Sequence, residues 1–201
     1  MMVWVLRRFC LFLVLALAAG TASAQNSYGE VLLEFNDAPL GQGDYGALRA
    51  AYAASPGYSG RSAMSNLRAG AMLAEQETGV ATVITKDDVM KASVADFPLM
   101  ETHHLAYAWY DASDHSSREA MMTYHGVHWR GLRDVILAGE RKVQGMRTFT
   151  VLSVAEEYQV LSALNLERKQ QALLQIDGVP YDRQDTVEGP ILFDISAFFG
   201  K

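Results

Sequence analysis

Apolar positions recur at helical spacing through the first two thirds of the chain and then change to the two-residue period of strands. Asp44 is placed to cap a helix over Tyr45–Ala54, with Leu48, Ala51 and Tyr52 on one face and Ser55-Pro56-Gly57 to stop it. Between Ser62 and Thr78, Met64, Leu67, Ala71, Met72 and Glu75 fall at helical steps, and Gly79 ends that helix. The apolar run Tyr28–Phe35 suits a short helix but is too brief to exclude a strand. Asn36–Gly43, with Pro39, Gly41 and Gly43, reads as a loop. Val80–Ala92 is expected to be helical, although Val80, Thr82, Val83, Ile84 and Thr85 favour strand locally. Pro98 suits the first turn of a helix over Leu99–Ala112. After a polar turn at Ser113–Ser117, Ser116 or Ser117 can cap a long helix running to about Leu137. In that helix Met121, His125, His128, Leu132 and Val135 alternate steps of four and three along one face. Gly139 closes it, and Glu140–Met146 reads as a polar linker.

Thr148–Val154 is rich in β-branched residues and reads as a strand, followed by a short helix over Ala155–Asn165. Gln171–Ile176 and Val179–Asp185 flank Asp177-Gly178, a two-residue hairpin signal. Glu188-Gly189-Pro190 turns again into a last strand, Ile191–Ile195. The expectation is an α+β protein: a helical portion over 25–140, then a β-α-β-β-β portion over 147–201 with an antiparallel meander, the two packed as one domain.

The first residues have a different character. Arg7 and Arg8 precede the apolar run Phe9–Gly20, and Thr21-Ala22-Ser23-Ala24 puts small residues three before and immediately before the Ala24–Gln25 bond. That order marks residues 1–24 as a cleaved signal peptide of the general secretory route and predicts a periplasmic or secreted protein. The run is too short for a membrane span, so no stable membrane insertion is expected after cleavage. Removing it takes Lys+Arg from 17 to 15 against 23 acids and the net charge from −6 to −8. An acidic chain without a basic block is a poor nucleic-acid binder. The single cysteine, Cys10, leaves with the signal, so the mature chain has no disulfide and depends on its core.

Several segments resemble one family. They are Asp44-Tyr-Gly-Ala-Leu-Arg-Ala-Ala-Tyr52 with Ser55-Pro-Gly-Tyr58, Ser153-Val-Ala-Glu-Glu-Tyr-Gln-Val-Leu161, Asp177-Gly-Val-Pro-Tyr-Asp182 and Leu192-Phe-Asp-Ile195. With His103, His104 and His125 they resemble a domain of unknown function found in exported bacterial proteins. The resemblance implies tetratricopeptide-like helices, a small C-terminal α/β portion and export, and it supplies no reaction. Glu140-Arg-Lys-Val-Gln144 departs from the glycine-rich turn expected after the long helix. Independently, Ala108, Ala120 and Tyr124 fit the small–small–aromatic spacing of one tetratricopeptide unit, without a second copy.

All five histidines lie between residues 103 and 128. If the two helices flanking Asp114 form an antiparallel hairpin, His103 and His125 sit at one height, with His128 a turn further on the same face. His103, His125 and His128, with His104 nearby, are the candidate ligands for zinc or copper. The competing expectation is a set of core histidines hydrogen-bonded to their neighbours, since they share a stripe with Met121, Leu132 and Val135. Tyr107 and Trp129 belong to an aromatic-rich stretch suited to a partner surface. Glu157, beside Glu156 on a short helix, and Asp182 are candidate binding residues of the C-terminal portion, and Asp182 and Asp194 on neighbouring strands could approach as the paired carboxylates of acid–base work. No HExxH, Gly-x-Ser-x-Gly, phosphate-loop or dinucleotide motif occurs.

These features favour a non-enzymatic binding module without cofactor, whose helical half receives a protein or peptide in the envelope. The alternatives are a metal-binding protein built on the histidines and a small hydrolase built on the C-terminal carboxylates.

Overall fold

A computed structural model describes residues 27–58 and 60–199; the expected signal peptide lies outside the described residues. The helical half begins with α1 (Tyr28–Asp37), where Ser27 and Glu30 form a reciprocal capping box, which settles the short apolar run as helix. Next come α2 (Tyr45–Ala54), capped by Asp44, and α3 (Ala63–Thr78), capped by Ser62 and closed by Gly79 in the left-handed region.

The next helix starts later than its apolar pattern suggests. Residues 80–85 are irregular, and α4 spans Lys86–Ala95 behind a capping box between Thr85 and Asp88. The β-branched run Val80–Thr85 does not enter the helix, and the cap sets the boundary. Pro98 likewise lies just outside α5 (Met100–Asp111), whose N-cap is Leu99. Ser117 stands at the N-cap of α6 (Arg118–Ala138) without a side-chain capping bond; its hydroxyl meets His115 Nδ1 at 2.8 Å instead.

The stretch read as a polar linker contains a hairpin. β1 (Arg141–Val143) pairs antiparallel with β2 (Met146–Thr150) about Gln144 and Gly145, both with positive φ. β1 is a short edge strand with two exposed residues, so it shows no apolar alternation. Val154 belongs to the following helix, α7 (Val154–Ala163), because Ser153 caps it by accepting from Glu156 N at 3.2 Å. β3 (Arg168–Ile176), β4 (Val179–Thr186) and β5 (Gly189–Asp194) form the expected antiparallel meander, and α8 (Ser196–Phe199) follows.

The protein is thus α+β, helices first and strands last, with a five-stranded mixed sheet in the order β1-β2-β5-β4-β3. β2 and β5 run parallel, Phe149 opposite Phe193, and the strand-rich portion reads β-β-α-β-β-β rather than β-α-β-β-β. At the β3–β4 hairpin Asp177 and Gly178 take φ of 52° and 80°, the type I′ geometry that Asp-Gly favours.

The largest core cluster joins both portions. Phe35, Tyr45 and Leu48 of the first helices and Leu132 and Ile136 of α6 are buried with Val160 and Leu161 of α7 and with Phe149, Ile191 and Phe193 of the sheet. A second cluster sits between α3, α4 and α5, around Met64, Val89, Ala106 and Tyr110. The far end of the α3–α4 hairpin is thinly packed: Met72, Leu73, Val80 and Val83 are all exposed.

Candidate functional site

α5 and α6 form the antiparallel hairpin that brings the histidines together. Contacts step from Asp111–Arg118 near the turn to Tyr107–Gly126 and His104–Trp129 further along. His103, His125 and His128 all point inward and are buried. His103 Nδ1 lies 3.1 Å from His125 Nδ1, and the His103 and His128 ring centres are 5.1 Å apart. Phe97, Tyr110 and Tyr124 pack against the same rings, Tyr110 stacked on His125 at 5.8 Å.

The hydrogen bonds assign the tautomers. His103 Nε2 is 2.8 Å from the Phe97 carbonyl, which only accepts, so this nitrogen carries the proton. Neutral His103 then accepts at Nδ1, His125 donates from its own Nδ1, and His125 Nε2 is left a bare acceptor, buried without a partner. His128 Nδ1 pairs with the Tyr45 hydroxyl at 3.0 Å. Neutrality follows from burial, which holds His125 and His128 at about 4 and His103 well below its ordinary value, with the neighbouring imidazoles adding to the effect on His103 and His125.

A zinc or copper ion needs lone pairs that converge on one point. Here His103 uses both nitrogens within the protein and His128 uses Nδ1 on Tyr45. Among the described residues no group of three or more His, Cys, Asp or Glu side chains is arranged to hold a metal ion. The three histidines therefore meet as the spacing predicts, as a hydrogen-bonded aromatic cluster. His104 is apart from them: half-buried, its ring 4.9 Å from Trp129, which donates from Nε1 to Gln159 of α7 at 3.1 Å. Tyr107 completes that outer aromatic group, 6.4 Å from Trp129.

The adjacent carboxylates of α7 diverge in role. Glu156 is fully buried and accepts from both guanidinium nitrogens of Arg49, at 2.5 and 2.9 Å, and from the amides of Met100 and Leu152. Four donors on one carboxylate tie α2, the start of α5 and the β2–α7 turn to a single point. Local spacing gave no sign of this pair, since Arg49 and Glu156 are 107 residues apart. Glu101, equally buried, has no hydrogen bond of good geometry on either carboxyl oxygen. Burial, with Glu156 beside it, pushes it up to about 8.

Glu157 points instead to the sheet. On β4, Asp182 and Gln184 share the face beneath α7, and Gln184 Nε2 reaches Glu157 Oε2 at 3.0 Å and Asp182 Oδ2 at 3.1 Å. Burial raises Glu157 to about 9, and Asp182 adds to the effect by hydrogen bonding and charge. Glu157 and Asp182 are thus brought together, but neither they nor Glu156 line any of the three clefts described below.

The largest of these clefts, about 630 Å3, opens between α1, the end of α2 and the end of α4. Tyr28 and Tyr52, with ring centres 5.3 Å apart, stand beside Ala51, Ala54, Ala95 and Gly57. Its lining carries hydroxyls but no carboxylate, imidazole, thiol or amine. Tyr52 is fixed from behind by a 2.6 Å bond to Asp96, which also accepts from the Ala63 amide. Burial, together with Asp96, raises the Tyr28 hydroxyl to about 12. A second cleft of about 230 Å3 lies between the Asn36–Gly43 loop, Tyr124 and His128. A third, about 220 Å3, is mostly apolar and lies between α3, α4 and α5 beside Arg68 and Trp109. None of the residues of the largest cleft was marked by sequence as a site, because alanines and tyrosines at helical spacing read as core.

Comparison with family models, curated proteins and solved structures finds no match to this chain.

Proposed function

We propose that the protein is an exported, non-enzymatic peptide-binding module whose binding site is the cleft between α1, α2 and α4. One observation carries this reading: the largest described cleft has the volume of a ligand site, and its lining offers hydroxyls but no carboxylate, imidazole, thiol or amine. Ligand pockets run from about 300 to 1,000 Å3. Its alanine and glycine wall lets a bound chain lie close to the protein backbone, and half-buried Tyr28, backed by Tyr52, offers flat apolar area with little side-chain entropy to lose. The signal-like order of residues 1–24 supports an envelope location for this activity.

The tetratricopeptide-like reading enters here in a reduced form. The α5–α6 hairpin is antiparallel, but Ala108 and Ala120, the small residues a repeat would bury, are both exposed. The binding reading therefore rests on the cleft and not on repeat packing. The hydrolase reading is less favoured because Glu156 is neutralised by Arg49 in a closed core and neither Glu157 nor Asp182 lines one of the three clefts.

A photo-crosslinking residue at exposed Ala54 tests the proposal, with a second at exposed Leu173 on β3 as reference. The expected result is an adduct in the native envelope that maps to one defined peptide segment, arises only from position 54 and disappears when Ala51→Trp fills the cleft. Equal adducts from both positions, or an adduct that survives Ala51→Trp, would refute it.

A further inference from the structure

We propose that Glu157, Asp182 and Gln184 form a binding site for a hard divalent cation between α7 and the sheet, independent of the peptide cleft. All three side chains are at least nine-tenths buried. Glu157 Oε1, Asp182 Oδ1 and Gln184 Oε1 are buried and receive no donor from any other residue; the two carboxyls meet only through the hydrogen bond they share. Every one of these atoms is an acceptor, or becomes one when its carboxyl ionises. A positively charged or proton-bearing ligand is what such a set takes.

Gln184 is the decisive residue. Its amide nitrogen donates to both carboxylates, which places the amide group between them, and its carbonyl oxygen remains unused. An amide that only bridged two acids would gain nothing from holding its carbonyl oxygen out of water. Two carboxylates and one amide oxygen make an all-oxygen donor set, which suits magnesium, manganese or calcium rather than zinc or copper. Three protein oxygens leave further coordination positions for water, as is usual for magnesium.

The surroundings supply a route. The helix layer covers β4 but not β3, so Gln171, exposed and directly opposite Gln184, lies over the cluster and donates to Asp182 Oδ2. Arg168 holds Gln171 in turn, at 3.1 Å, and bonds the Tyr158 hydroxyl at 2.9 Å. The site thus sits one side chain below the surface, and a cation enters it by displacing the Gln171 amide and the proton that Glu157 carries.

Thermal unfolding of the purified protein with magnesium, calcium or manganese chloride, each compared with sodium chloride of equal ionic strength, tests the site. One of the divalent ions is expected to raise Tm progressively with concentration, and Glu157→Gln and Asp182→Asn are each expected to lose that increment. No increment beyond the sodium control, or one retained in both variants, would overturn the proposal. If the variants do not fold, manganese titrated into the wild-type protein gives the answer by electron paramagnetic resonance. Loss of the free-ion signal up to one equivalent supports the site, and an undiminished signal refutes it.

Discussion

Arg49 and Glu156 are the pair on which the junction of helices and sheet depends most. Both are buried, and the carboxylate has four donors and no access to water. Arg49→Met preserves length and apolar stem but leaves a buried, uncompensated charge, so unfolding free energy is expected to fall by about 3–5 kcal/mol in urea titrations. A loss below about 1 kcal/mol would mean that Glu156 is stabilised in some other way. The histidines and Glu101 act on stability in opposite directions. His103, His125 and His128 titrate below their ordinary 6.5 when folded, so the unfolded chain binds the extra protons. Stability is therefore lost as pH falls from about 6.5 towards 4. Glu101, raised to about 8, keeps its proton above the ordinary 4.5, and the stability it contributes is lost as pH rises from 4.5 towards 8. Glu157, raised to about 9, acts in the same sense as Glu101, so three imidazoles outweigh two carboxyls on the acid side, and of these groups only the carboxyls act on the alkaline side. A Tm profile should accordingly peak near pH 6.5, and His103→Phe should flatten its acid limb.

Side-chain caps set the starts of α1 to α4 and α7, and of these the sequence marked Asp44. Asp44 and Ser62 each accept from an amide three residues on; Asp44 was read as the cap of its helix, whereas the spacing from Ser62 marked a helix without its cap. Asp44→Ala should cost about 1 kcal/mol of stability, measurable by chemical denaturation. Elements without a cap or an apolar alternation were misread: β1 was hidden because an exposed three-residue edge strand has nothing to alternate. The run Val80–Thr85 was drawn into a helix because apolar content was weighed above the Thr85 cap. That same region is thinly packed, with Met72, Leu73, Val80 and Val83 exposed, so amides from the last turns of α3 through residue 85 should exchange with deuterium before those of α6. Equal protection in the two regions would contradict this packing account.

Across the whole molecule, the histidine cluster and the cleft between α1, α2 and α4 were legible to different degrees for a physical reason. Helical spacing determines which side chains share a height on two facing helices, so the approach of His103 to His125 could be anticipated. It does not reveal how their nitrogens are used; that depends on the Phe97 carbonyl and the Tyr45 hydroxyl, contributed from elsewhere in the chain. A cleft formed by the ends of three helices leaves still less trace, because its walls are made of Ala51, Ala54 and Ala95, residues chosen for what they do not fill. The most direct test of the binding account is selection of a random peptide library on the purified protein, with Ala54→Trp as competitor. The account predicts enriched peptides that share a motif, bind the wild type in isothermal titration calorimetry and lose binding to Ala54→Trp. No enrichment, or peptides that bind both proteins equally, would contradict it.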